Sequence, residues 1–312
     1  MFELIFLGTS ASAPSVHRNV SSTLLLHRDL RFLIDAGEGT QRQLLASGAG
    51  FRNLRHILIT HAHLDHILGL AGLISTLNSW EIEAGSLTIY AGAESLQRVR
   101  DLLLGVVLRG KRNNSIWIDF QPLKAGRFLT FPHLSVSAFP VPHRASDSWG
   151  FVFEEPSRRP FLNDRAEALA VPFGPERSRL VAGEAVTLAD GRVVQPEEVL
   201  GETELGAKLV YVGDVDRLDP IRPYVQGADG LVIESTYSEQ QADEVASHGH
   251  ITASMAAQLA SEAGVGALYL NHISRRYRGN ELEAEARRLF PRTRVVDDLE
   301  RVTVSKQPPR SG

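Results

Sequence analysis

The stretch His56-Ile57-Leu58-Ile59-Thr60-His61-Ala62-His63-Leu64-Asp65-His66 decides the reading of this 312-residue chain. Its first half is β-branched and leucine-rich, the composition of a strand buried on both faces. Its second half packs three imidazoles and a carboxylate into six residues. A ligand cluster at the carboxyl end of a strand lies where open α/β sheets place their sites. Imidazole and carboxylate suit zinc and its first-row neighbours. The spacing lets the pair His61 and His63 serve one ion and the pair Asp65 and His66 a second. Ionisable groups crowded at a strand end point to chemistry.

Two ions need more ligands than this stretch carries. Three further candidates each stand just past a predicted strand: His143 after Leu134 to Val141, Asp214 after Lys208 to Val212, and His272 after Ala267 to Leu270. One histidine after a strand is usually a hydrogen-bonded structural residue. Four strand ends bearing such groups predict strands that share one edge. His17, His27, His56 and His133 have no ligand-like neighbours, and His248 reads as a surface residue.

The wider pattern predicts strands near 2–7, 22–26, 31–35, 55–60, 86–90, 134–141, 149–154, 208–212, 230–234, 266–270 and 300–305. Helices are predicted near 38–46, 67–78, 92–104, 252–263 and 280–289. Thr252 and Ser254 open the alanine-rich run in the manner of a capped helix start. Strands in hairpin order followed by strands alternating with helices, twice over, fit two β-sheets face to face with helices outside. That is an αββα sandwich of α+β or α/β class. The segment 155–206 interrupts the rhythm, rich in proline, glycine and charge, and its apolar residues keep no sustained period. So long a break inside a domain is usually functional or mobile.

Composition narrows the function classes. No cysteine is present, which excludes disulfide frameworks and thiolate metal sites. Hydrophobic residues are 43%, ordinary for a globular protein. No apolar run approaches a membrane span, and Met1 to Ile5 reads as a first strand and not a signal peptide, so the expectation is a soluble, cytoplasmic protein. A net charge of −4 speaks mildly against nucleic acid. Clustering offsets this: Arg109, Lys111 and Arg112 form one basic group, and Arg275, Arg276 and Arg278 another beside His272. Guanidiniums flanking a metal ligand stand where phosphate oxygens would sit.

The order of these motifs resembles the metallo-β-lactamase fold and, within it, the ribonuclease Z family in its short form. Leu7-Gly8-Thr9-Ser10 with Arg18 to Ser22 resembles the family's opening strand and loop. Asp35 to Leu44 resembles its second motif, and Ser274-Arg275-Arg276-Tyr277 its closing signature. The resemblance implies a tRNA 3′-end endonuclease, a homodimer, and an exosite arm inserted at 155–206 that grips precursor tRNA. Gly174-Pro175 is similar to the arm's Gly-Pro motif. The family's aromatic residue and lysines are replaced here by Glu176-Arg177-Ser178-Arg179, and residues 157–180 carry five arginines against three acids. The expected organisation is one metallo-β-lactamase-like domain over 1–312, with the arm at 155–206 and a disordered tail at 306–312.

Chemistry follows from the residues. His61, His63 and His143 are the expected ligands of one cation; Asp65, His66 and His272 those of a second, with Asp214 bridging. The expected ions are two divalent metals, zinc first, with manganese or iron as alternatives. Such a pair makes hydroxide available near neutral pH and polarises a phosphoryl oxygen. The resemblance makes Asp65 the acceptor of the attacking water's proton as well as a ligand. His250 is the candidate general acid for the departing oxygen, and Glu234, at a strand end, would hold its tautomer. The family has a Glu and a His in these positions. Asp35 is expected to orient a ligand histidine or to satisfy loop amides. Gly37 and Gly39 are expected to permit a tight turn. The leading function is an endoribonuclease on tRNA precursors. The alternatives are another dinuclear hydrolase of the same fold, acting on a small phosphodiester, thioester or sulfate ester, and a non-catalytic RNA-binding protein.

Overall fold

Among the described residues, sixteen strands form two seven-stranded sheets and one two-stranded hairpin. In chain order they are β1 (Phe2–Gly8), β2 (Ser22–His27), β3 (Leu30–Ile34), β4 (His56–Leu58), β5 (Ser86–Ala91), β6 (Trp117–Pro122), β7 (Gly126–Phe131), β8 (Leu134–Val141) and β9 (Ser148–Glu154). They continue with β10 (Val186–Thr187), β11 (Val193–Val194), β12 (Lys208–Tyr211), β13 (Gly230–Glu234), β14 (Leu268–Asn271), β15 (Thr293–Val295) and β16 (Arg301–Val304). This is the computed structural model of the chain, and it describes residues 1–80, 86–109, 116–144, 146–242, 245 and 249–307. Lys111, Arg112, His248 and the last five residues of the expected tail lie outside the described residues. The chain divides into two units, Met1–Glu154 with Ala207–Gly312, and Glu155–Gly206.

The first unit is layered. Its first sheet has the order β16-β1-β2-β3-β4-β5-β6, the second β15-β14-β13-β12-β9-β8-β7. Side chains alternate along each strand. Leu4, Phe6, Leu25, Phe32, Ile34 and Leu58 meet Val136, Phe151, Phe153, Leu209 and Val232 in the layer between the sheets. Their neighbours Ile5, Leu7, Leu24, Leu33 and Ile57 face Leu70, Leu73, Ile74 and Leu77 of the helix Gly69–Ser79. On the far side, Ala256, Ala257 and Ala260 of the helix Ala253–Glu262 pack with Val210, Leu231 and Ile233. The result is the expected αββα order.

Strand direction gathers the site. β12, β13 and β14 are mutually parallel, β9 is antiparallel to β12, and β8 is antiparallel to β9. The carboxyl ends of β8, β12, β13 and β14 therefore lie on one edge. Asp35 follows β3, and its neighbour β4 runs parallel to it. Two glycines let the connecting segments approach backbone to backbone. A Cβ on Gly69 would lie 1.9 Å from the Gly37 carbonyl oxygen, and one on Gly37 would lie 2.2 Å from that of Asp65. Gly37 is thus needed for clearance and not for a turn. Gly39, at φ 83°, does supply the turn before the helix Thr40–Ala46.

The expected helix 67–78 is two: a single turn at Leu64–Ile67 carrying Asp65 and His66, then Gly69–Ser79. Strands β6, β7 and β15 escape sequence reading. β6 and β7 are largely exposed edge strands, β6 ending in a proline and β7 opening on a glycine, and β15 has three residues. Thr252 is the helix cap expected, its Oγ1 accepting from the Met255 amide at 3.1 Å. Of the expected tail, Lys306 and Gln307 are tied to Asp229.

The second unit has its own core. Helices Asn163–Ala168, Pro175–Val181 and Pro196–Val199 and the hairpin β10–β11 bury Ala166, Val171, Leu180, Val186, Val194 and Val199. Elements of one or two turns leave no long period to find, and proline opens two of the helices at the position that spares a hydrogen bond. Among the described residues, no helix is long and apolar enough to cross a membrane.

Candidate metal centre

Four strand ends place the ligands. Asp214 is at the middle, 3% exposed, with its two oxygens turned to different partners. Oδ2 lies 3.7 Å from His61 Nε2 and 3.8 Å from His143 Nε2. Oδ1 lies 3.4 Å from His66 Nε2 and 3.3 Å from His272 Nε2. His63 turns Nδ1 toward His61 Nε2 at 2.8 Å. Asp65 Oδ2 stands 3.4 Å from His272 Nε2. Ligand-capable atoms of His61, His63, His143 and Asp214 thus form one group, and those of Asp65, His66 and His272 a second. The structure brings together all seven residues that the sequence singled out as ligands.

The imidazoles are oriented from behind. The Nδ1 of His66 bonds Asp35 Oδ2 at 2.8 Å, and that of His143 bonds the Gly249 carbonyl at 2.8 Å. Thr60 Oγ1 donates to Asp35 Oδ2 at 2.8 Å, which leaves its lone pair for His61 Nδ1 at 3.1 Å. Thr236 Oγ1 donates to Glu234 Oε2 at 2.6 Å and so accepts from His272 Nδ1 at 3.0 Å. Each Nδ1 proton is thereby fixed, and the Nε2 lone pair faces inward. Asp35 is held in turn by the Thr60 amide at 2.8 Å. Ser12, Asp35, Arg144 and His272 are non-glycine residues at φ between 49° and 59°. Backbone strain of this kind gathers at functional sites.

These residues fit a pair of cations. His66 Nε2, His143 Nε2 and Asp214 Oδ1 are buried and have no hydrogen-bond partner. Buried polar atoms are rarely left so, and here they converge on shared space with the donor chemistry of first-row divalent ions. Burial, reinforced by neighbouring imidazoles, holds His61, His63 and His143 below their ordinary pKa, the neutral state that ligates. Burial would also lower His66, but Asp214, Asp35 and Asp65 outweigh it and hold that ring well above 6.5. Burial raises Asp65 and Asp214, and the surrounding imidazoles overcome it, keeping both carboxylates ionised.

His250 stands on the same edge but in a different setting. Its Nδ1 is 3.0 and 3.1 Å from the two oxygens of Glu234 and 3.9 Å from Asp214 Oδ2. Although it falls within ligand distance of Asp214 and His272, its Nδ1 is engaged by Glu234. Burial lowers this imidazole, yet the charge and hydrogen bond of Glu234 prevail and raise it to about 9. Glu234 also accepts from the Val215 amide at 2.7 Å.

Sequence reading missed three contributors. Ser12 donates its amide to Asp65 Oδ2 at 2.9 Å; a backbone donor in a loop leaves no sequence signal. Thr60 and Thr236 adjoin named site residues, and their hydroxyls could have been suspected on that ground. Arg275 and Arg276 are exposed just past His272. Gly174, at φ 133°, opens the helix Pro175–Val181 of the second unit.

Comparison with known proteins supplies the family context. Residues 2–163, about half the chain, match the family model described as Anti-Pycsar protein Apyc1. Ribonuclease Z of Bradyrhizobium sp. (strain ORS 278) is 48% identical over 304 residues, covering 97% of this chain and 100% of that protein. Ribonuclease Z of Methanothermobacter thermautotrophicus is 36% identical over 305 residues, covering 97% of each. Among solved structures, the metallo-β-lactamase fold protein YhfI from Bacillus subtilis superposes with a TM-score of 0.66 at 17% identity, covering 96% of this chain and 98% of that one. The short form of human tRNase Z gives 0.64 at 22% identity, covering 97% and 99%. At these identities the structures speak to fold alone, and that fold is the metallo-β-lactamase fold.

Proposed function

The chain belongs to the ribonuclease Z family, and we propose that it is a metal-dependent endoribonuclease that removes 3′ trailers from tRNA precursors. One observation carries the reading: the convergence of seven ligand residues beside a buried His250–Glu234 pair. His61, His63 and His143 would hold one divalent cation and Asp65, His66 and His272 the other, with Asp214 shared. Bound there, the two ions would supply Lewis acidity to a phosphoryl oxygen and ease ionisation of a water near neutral pH.

The residues divide the remaining work. Water attacks phosphorus as the bond from phosphorus to the ribose 3′ oxygen breaks. Asp65 takes the proton released by the water at its carboxylate, which the Ser12 amide holds in place. Glu234 keeps the proton of His250 on Nδ1, so Nε2 is the atom that delivers a proton to the departing 3′ oxygen. The tRNA keeps a 3′-hydroxyl and the trailer a 5′-phosphate. Arg275 and Arg276 would meet backbone phosphates, and the unit Glu155–Gly206, with Gly174 and Pro175, would engage the tRNA body.

Zinc suits this imidazole and carboxylate set best. We further propose a homodimer acting in the cytoplasm, where tRNA precursors are made. The test is cleavage of a precursor tRNA bearing a 3′ trailer, run beside bis(p-nitrophenyl) phosphate. Products with a 3′-hydroxyl and a 5′-phosphate support the reading. Turnover of the small ester alone overturns it.

A further inference from the structure

A cleft of about 350 Å³ opens beside the ligand cluster, lined by His63, Glu94, Arg98, Arg144, Ser146 and Asp147 among others. That volume lies in the range of roughly 300–1,000 Å³ typical of small-molecule sites. One wall is His63, so a ligand in the cleft would abut the metal-binding residues. The acids and bases lining it are not equivalent. Asp147 is already engaged: it accepts from the Glu94 amide at 2.9 Å and from Ser95 Oγ at 2.5 Å, capping the helix Ala93–Leu102. Arg98 lies one turn along that helix, exposed, and its guanidinium is paired with no described residue. Arg144 follows His143 directly. Its amide is fixed by Asp216 Oδ2 at 3.0 Å, and a Cβ on Gly249 would meet its Cγ at 2.8 Å.

Two arginines thus line a nucleotide-sized space beside the proposed phosphodiester-cleaving centre, and the chemistry above uses neither. A guanidinium fork matches phosphate oxygens. We propose that this cleft binds the nucleotide adjoining the scissile phosphate, with Arg98 and Arg144 holding that nucleotide's own phosphate. The inference rests on the proposed RNA substrate and deepens it by assigning a subsite.

The test uses the 5′-phosphorylated dinucleotide pUpU, titrated calorimetrically into the intact protein with chelator present, and KM for precursor tRNA with metal restored. Arg98→Gln should weaken pUpU binding about tenfold, the loss expected for one charged hydrogen bond, and raise KM more than it lowers kcat. Gln97→Glu makes the same change in net charge one residue outside the cleft and should do neither. Glu94→Gln, which removes a like charge from the lining, should tighten pUpU. Equal effects of Arg98→Gln and Gln97→Glu, or no effect of Arg98→Gln, would overturn the subsite. Binding of pUpU that depends on Arg98, in a protein that leaves precursor tRNA intact, would keep the nucleotide cleft and overturn the assigned reaction.

Discussion

Asp35→Asn isolates what the carboxylate behind His66 contributes. Asp35 is 1% exposed and accepts three hydrogen bonds at 2.8 Å, from the Thr60 amide, Thr60 Oγ1 and His66 Nδ1. An asparagine of the same shape keeps one acceptor oxygen, enough for the Thr60 amide. Its NH2 group then faces two donors, the Thr60 hydroxyl and the His66 Nδ1 proton. The hydroxyl can rotate. The imidazole must move its proton to Nε2, the atom turned toward Asp214 at 3.4 Å, and so loses the lone pair that would bind a cation. A hydrogen bond to a charged group contributes about 1.5–3 kcal/mol, which converts to roughly 10- to 150-fold in affinity. That agrees with the roughly 10- to 100-fold effects seen when a histidine ligand loses its outer partner. The assay is equilibrium metal titration with a chromophoric competitor, read as two binding steps. One step should weaken by this factor while the other, built on His61, His63 and His143, stays within a few-fold. Near-ultraviolet circular dichroism should confirm that the core is intact. Equal weakening of both steps, or neither, would refute the tautomer argument.

Three other outcomes are expected. Asp214→Ala removes a carboxylate that lies within 4 Å of four of the proposed ligand imidazoles at once; metal content by elemental analysis should fall below two ions per chain and activity should vanish, and retention of two would contradict a shared ligand. Glu154 and Lys208 are paired neighbours across β9 and β12, so replacing residues 155–207 by Asn-Gly makes a two-residue hairpin; the variant should fold, keep turnover of bis(p-nitrophenyl) phosphate and lose affinity for precursor tRNA, and equal loss on both substrates would make the segment structural. Burial and the Arg55 charge lower His56 below 6.5, so its stability contribution is present above the unfolded pKa and is lost as pH falls through the folded one; with chelator present, denaturant unfolding from about pH 7.5 to about pH 5.5 should show a smaller acid loss in His56→Gln than in the parent, and parallel losses would refute the assignment.

The convergence of the seven proposed ligands was legible because each is a chemically distinctive residue just past a run of buried apolar residues. Such runs are strong signals, and β-strands that share a direction bring their ends together. Strands β6 and β7 were not legible, since an exposed edge strand alternates weakly and needs its neighbour to define it. The core of residues 155–206 stayed hidden for a related reason: Ala166, Leu180 and Val194 belong to elements too short to repeat. Gly37 was read as a turn residue, yet its role is to admit the Asp65 carbonyl, a contact between segments that local sequence cannot show. Ser12 acts through its amide, and every residue but proline has one.

Residue type alone does not separate the proposed acid from the proposed ligands at this edge; the partner does. His61 and His272 rest on threonine hydroxyls and His143 on a carbonyl, which fix a tautomer while adding little negative charge. His250 rests on both oxygens of a buried carboxylate, which fixes the tautomer and also stabilises the imidazolium. Environments that push like groups apart in pKa divide ligands from proton donors. His66 tests the rule, since Asp35 gives it a carboxylate partner too. Its Nε2, however, faces Asp214 and Asp65, the same carboxylates that would hold a cation. Protonation of that ring and cation binding therefore compete for one set of charges. His250 meets that set only at its margin, through Nδ1 at 3.9 Å from Asp214 with Glu234 closer, and so can keep its proton when the ligands have given up theirs.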